Sequence, residues 1–139
     1  MNFLIEGSVG IRFEGKHFDL HSFFSIDKFI VNPGEGAVIL EFVPIGDFKN
    51  ESHNVKILGL QFSMISYLEF SPSFCANASD SLEEFGFKAP WDRDDNWLKT
   101  FEQSNAGDHL FIRLSSLEFF RIQCAEICVF LNRDRHKLG

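Results

Sequence analysis

The sequence predicts a mainly β protein of the α+β kind, with one antiparallel sheet or sandwich of about six to eight strands and one or two short helices near residues 81–104. Three observations carry this. Apolar and polar residues alternate at period two through most of the first seventy positions, with Gly, Pro, Asn and Ser clusters between the alternating runs. The chain carries 18 Phe against a single Tyr, and a phenyl ring adds apolar area without a polar atom to satisfy, which suits a dry core. At 139 residues the length fits a single domain spanning 1–139, with no linker, repeat or low-complexity tract to divide it.

Taken in order, Phe3 and Ile5 and then Val9, Ile11 and Phe13 alternate with Glu6, Ser8, Arg12 and Glu14, with Gly7 and Gly10 allowing a turn or bulge between them. The pattern runs on through Phe18 and Leu20 to a denser run from Phe23 to Val31, which stops at Asn32-Pro33-Gly34-Glu35-Gly36. Pro33 presets φ for the first central turn position and Gly34 is expected to supply a positive φ at the second. A strand from Ala37 to Val43, a loop from Pro44 to Asn54 and a strand from Val55 to Phe70 follow. The alternation slips near Ile65 to Tyr67, which predicts a bulge or turn there.

Around residue 80 the pattern changes. Ser81-Leu82-Glu83-Glu84 fits a capping box for one short helical turn, stopped by Gly86 and Pro90. A second helix is expected from about Asp94 to Ser104, with Trp97, Leu98 and Phe101 on one face and Asn105-Ala106-Gly107 as its stop. The last stretch reads two ways. Leu117, Phe120, Cys124, Ile127 and Leu131 recur at helical spacing, whereas Leu110, Ile112 and Leu114, a Ser115-Ser116 turn, then Phe120, Ile122 and Cys124 read as strands. In the strand reading a slip precedes Ile127, Val129 and Leu131. The β-branched and aromatic content favours strands.

Charge narrows the function classes. A formal net charge of −7 is the wrong sign for a nucleic-acid binder, and no segment is long and apolar enough to span a membrane. Acid is concentrated in residues 80–95, where Asp80, Glu83, Glu84, Asp92, Asp94 and Asp95 face only Lys88 and Arg93. Opposite in sign is the short run from Arg133 to Lys137. The N-terminus lacks a basic start and a long apolar run, so a cytoplasmic chain is expected, and the two Asn-x-Ser sequons at Asn50 and Asn77 read as chance. Three cysteines, Cys75, Cys124 and Cys128, agree with a reducing compartment, since Cys124 and Cys128 lie about 13 Å apart on a strand and cannot pair.

Two residue sets are candidates for function. His17, Asp19 and His21 occupy positions i, i+2 and i+4, so on one strand they project from one face and offer two imidazoles and a carboxylate to Zn²⁺ or a similar cation. The same pattern is that of any wet strand face. Trp91, Asp92, Asp94, Asp95 and Trp97 hold both tryptophans of the chain inside its most acidic stretch, the composition of an aromatic anchor rimmed by charge, although tryptophans on a covering helix also pack downward onto a sheet. The chain has no Gly-x-Ser-x-Gly, no His-Glu-x-x-His, no phosphate loop and no dinucleotide fingerprint. Cys75 would need a nearby His and a thiolate-stabilising environment to act as a nucleophile. The expectation is therefore a non-catalytic module that binds a basic protein, of which small acidic immunity or antidote proteins are one kind. The alternative is a metal-dependent hydrolase or small-ligand binder on the His17, Asp19, His21 face.

Overall fold

A computed structural model describes residues 1–45, 55–75, 80–94 and 97–133. The polar loop after Ile45, both sequons, Asp95 and the basic run beyond Arg133 lie outside them. Among the described residues there are nine strands and no helix: β1 (Leu4–Glu6), β2 (Gly10–Phe13), β3 (Lys16–Asp19), β4 (Phe24–Asn32), β5 (Ala37–Pro44), β6 (Val55–Phe70), β7 (Leu82–Lys88), β8 (His109–Leu114) and β9 (Phe119–Arg133). They form a three-stranded antiparallel sheet, β1-β2-β3, and a six-stranded antiparallel sheet ordered β4-β5-β6-β9-β8-β7, curled into a half-barrel. The mainly β reading holds, and the C-terminal ambiguity resolves as strands separated at Ser115-Ser116.

Both expected helices are corrected. Leu82 to Lys88 is strand β7, which pairs with β8 from Leu82↔Leu114 to Lys88↔His109. Seven residues give a helix too few hydrogen bonds to offset nucleation, whereas a neighbouring strand satisfies the same backbone groups and lets Phe85 enter the core. From Asp94 to Ser104 the described chain is irregular. Lys99 exchanges both backbone hydrogen bonds with Phe87 at 2.9 Å, and only isolated turns follow, Gln103 N–H to Thr100 O and Ser104 N–H to Phe101 O, both at 3.1 Å. Gln103 Oε1 accepts the Thr100 N–H, so local capping chemistry is present but closes one turn.

The bends are where the sequence slips. β6 shifts register between Ile65 and Tyr67, and β9 changes face between Cys124 and Ile127 as the two strands stay paired through Ser63↔Glu126 and Ile65↔Cys124. Exposed Met64 takes a left-handed φ of 54° at this bend. The hairpin after β4 departs from the expected type II turn. Glu35 N–H reaches Asn32 O at 3.2 Å, but the positive φ belongs to Gly36, at 62°, so the loop closes as a four-residue connection from Asn32 to its partner Ala37. A further hairpin joins β2 to β3 through Glu14 and Gly15, at φ 53° and 76°, a type I′ pair that the residue before Gly15 does not announce.

One hydrophobic core is shared by the two sheets. Phe3, Ile5, Ile11, Phe18 and Leu20 from the small sheet and its flanks meet Phe24, Leu40, Phe42, Leu58, Phe62, Leu114 and Phe120 from the large one. Phe120 is its aromatic hub, with Phe62, Phe29 and Phe74 ring centroids 5.3, 5.5 and 5.6 Å away. Curling brings the two edges of the large sheet together, since Ile26 N–H of β4 donates to Asp80 O just before β7 at 2.7 Å. The rest of the β7 edge is covered as well: Phe85 N–H donates to Ser8 O at 2.7 Å and Leu82 O meets His21 Nδ1 at 2.6 Å. A sheet edge closed in this way offers few open backbone groups to another chain. Asp80 ties these pieces, its Oδ1 accepting the Ser81 and Ser116 backbone N–H groups.

Candidate functional site

The register of β6, β9, β8 and β7 sorts their side chains into rows. Phe70, Phe120, Ile112 and Phe85 form one row on the core side, and Leu68, Ile122, Leu110 and Phe87 the next. On the opposite side Glu69, Arg121, Phe111 and Gly86 stand in one row, flanked by Lys88 opposite His109 and by Glu84, Arg113 and Phe119. An outward face of this composition would ordinarily be wet. Here Lys88 and Arg121 are only 2% exposed and His109 5%, because the described residues of 89–94 and 97–108 cover them.

Gly86 permits that covering. A Cβ on it would lie 2.7 Å from Lys99 O and 2.8 Å from Leu98 Cβ, closer than real Cβ contacts come, so the position admits glycine alone. Arg121 holds the cover down. Its Nη2 donates to Ala89 O at 2.7 Å and its Nη1 to Asp92 O at 2.8 Å, while Nε donates to His109 Nδ1 at 2.9 Å. Ala89-Pro90-Trp91-Asp92 is itself a β-turn, closed by Asp92 N–H to Ala89 O at 3.0 Å with Pro90 at its first central position. Trp91 follows at the second and points to water, 82% exposed. Trp97 is 62% exposed, the residue before Leu98 in a segment where Leu98 faces the sheet.

The surrounding groups form a charge network. Tyr67 stacks on His109 with centroids 4.5 Å apart and donates its hydroxyl to Glu69 Oε1 at 2.7 Å, and Arg93 donates to Glu69 Oε2 at 2.7 Å. Hydrogen bonds from Arg93 and Tyr67 hold the Glu69 carboxyl below the usual range. Asp92 is lowered first by the Asp94 backbone N–H on its Oδ1, with the Lys88 ammonium 3.5 Å from Oδ2 adding to it. For Asp108, burial acts to raise the carboxyl pKa, and the Asn105 N–H and the Lys99 ammonium outweigh it. Burial lowers His109, and the Arg121 and Arg93 cations lower it further. Burial also lowers Arg121.

Compared with family models, curated proteins and solved structures, the chain matches none.

The candidates from the sequence fare differently. Trp91 and Trp97 both sit at the surface: the expected helix that would have turned Trp97 onto the sheet does not form, and Trp91 lies in the turn that precedes it. Asp94 is exposed and its backbone N–H donates to Asp92 Oδ1, while Asp92 Oδ2 meets the Lys88 ammonium. Asp95 lies outside the described residues. His17, Asp19 and His21 do not share one strand face, since β3 ends at Asp19. His17 Nδ1 is 2.7 Å from Glu6 Oε1, Asp19 Oδ1 accepts the His21 and Ser22 N–H groups at 3.0 and 2.9 Å, and His21 turns to Leu82 O. Among the described residues no group of three or more His, Cys, Asp or Glu side chains could hold a metal ion. Burial pushes the Cys75 thiol up to about 12, helped by Asp80, which leaves it protonated and a poor nucleophile at neutral pH.

Sequence reasoning did not bring Lys88, His109 and Arg121 together as one cluster. A signal for them was available: Phe111 and Phe119 fall on the same side of their strands as Arg113 and Arg121, and their rings stack at 5.5 Å with 3° between planes. Aromatics on both sides of a strand imply a cover on both.

Proposed function

We propose that this chain is a non-catalytic binding protein that docks a basic protein partner through the face carrying Trp91 and Trp97. The observation that supports this reading is the exposure of Trp91 and Trp97, 82% and 62%, with Trp91 on a turn whose flanking carbonyls are held by a buried arginine. Exposed tryptophan on a fixed turn contributes large contact area with little ordering entropy to lose on binding, which is the economy of a hot spot. Acid is dense in the sequence between the two tryptophans, and aromatic rings together with carboxylates suit Lys or Arg on the partner through cation–π contact and ion pairing. A chain of net charge −7 also steers a basic partner from a distance. A cytoplasmic setting and an antidote-type role belong to the same proposal. The metal or ligand reading would require His17 to leave Glu6, Asp19 to leave its turn and His21 to leave Leu82, and no observation favours it.

The test compares three immobilised proteins: the native sequence, the double variant Trp91→Ser/Trp97→Ser, and Leu117→Ser, which changes an apolar residue 75% exposed on the β8–β9 turn. A basic partner retained by the native chain and by Leu117→Ser should be held about a hundredfold or more weakly by the double variant. Its association rate should fall as salt rises. Equal retention by the double variant would place the binding surface elsewhere.

A further inference from the structure

We propose that His109 and Arg121 form a proton-controlled latch on the Ala89–Asp92 turn, closed when His109 is neutral and opened when a proton is added to its Nδ1. The hydrogen-bond geometry dictates the chemistry. Arg121 has only donors, so at 2.9 Å from its Nε the His109 Nδ1 must be a lone-pair acceptor, with the ring hydrogen on Nε2. A second proton can then enter only at Nδ1. It removes the acceptor and sets imidazolium against guanidinium under a cover that excludes water.

The consequence reaches the tryptophan face because the same guanidinium holds Ala89 O and Asp92 O, the two carbonyls that bracket Trp91. Repulsion from a charged His109 is relieved by moving Arg121 toward water, and the turn moves with it. Every element around the ring contributes charge. β6 brings Tyr67 and Glu69, β7 brings Lys88 opposite His109, and β9 brings Arg121. The cover brings Asp92, Arg93, Lys99 and Asp108. Glu69 and Asp108 favour the proton; burial, Arg121 and Arg93 oppose it, and the opposition prevails. The sign follows: the unfolded or open chain binds this proton at the ordinary histidine value of about 6.5, the closed one only at lower pH, so acidification below about 6.5 favours opening.

This regulates the face assigned to partner binding and rests on that reading only for its consequence, since the test is made on the free protein. Hydrogen exchange at the Asp92 amide, which closes the Ala89 turn, is followed from about pH 7.5 to about pH 5 after correction for intrinsic rates, together with the imidazole signals of His109. The native chain is expected to lose protection at Asp92 by about tenfold or more, with the midpoint of the His109 titration, while core amides of β5 and β6 keep theirs. In His109→Gln the side-chain oxygen still accepts from Arg121 but takes no proton, so protection should be flat with pH. Protection in the native chain that stays constant through the His109 titration would overturn the latch. So would a loss with the same midpoint in His109→Gln. Should the variant not fold, coincidence or non-coincidence of the two native midpoints decides alone. A protein that latches yet captures no partner leaves the latch standing and removes the binding proposal, and the reverse outcome separates them equally well.

Discussion

Phe120→Ala is expected to cost the fold about 3–5 kcal/mol, the range for removing a large buried ring whose surroundings collapse only in part. Phe120 is fully buried on β9, and Phe29, Phe62 and Phe74 all pack on its ring. The three neighbours come from β4, from β6 and from the turn after β6, so the space left behind is walled by separate elements that cannot all move inward together. The loss would take a large part of a domain's typical stability of about 5–15 kcal/mol. It should appear as a lower urea midpoint and as loosened packing around Phe74. A stability loss under about 1 kcal/mol, taken from the midpoint and the slope, would show that the core does not converge on this ring.

Arg121→Met is expected to cost about 3 kcal/mol by a different route. Methionine keeps much of the stem volume but leaves three acceptors, His109 Nδ1, Ala89 O and Asp92 O, without their donor, each worth about 1–3 kcal/mol if it stays dry. The cover can lift to hydrate them, which limits the total and predicts a second readout: faster exchange at residues 89–94 with the core amides unchanged. Arg121→Lys should recover only part of the loss, since one ammonium cannot span three acceptors set around a planar fork. If methionine were as stable as arginine, the polar cluster would be filling space and not holding the cover.

Every strand but β7 is legible from apolar patterning, and so are two irregularities: the slip at Ile65 to Tyr67 and the change of face after Cys124 both reflect apolar side chains following the curled core. Residues 81–104 were misread for a physical reason. Ser81-x-x-Glu84 and the cap residue Asp94 carry local helix-start signals, but β8 offers Leu82 to Lys88 a ladder of hydrogen bonds, and Lys99 takes the free side of Phe87. Local propensity lost to pairing with residues distant in sequence. The candidate site was half legible. Trp91 and Trp97 stand out by composition, whereas Lys88, His109 and Arg121 are brought together only by strand pairing and the covering segment. His17, Asp19 and His21 seemed convergent only while β3 was assumed to run straight through Asp19.

The central claim is that Trp91 and Trp97 form the docking face, and collisional quenching of tryptophan fluorescence tests it most directly because the chain has no other tryptophan. In the free protein both indoles should be quenched by a small neutral quencher nearly as readily as a free indole. When the captured partner is added, that accessibility should fall sharply, and more so near neutral pH than under acid conditions. Indoles that stay as accessible in the complex as in the free chain would contradict the account.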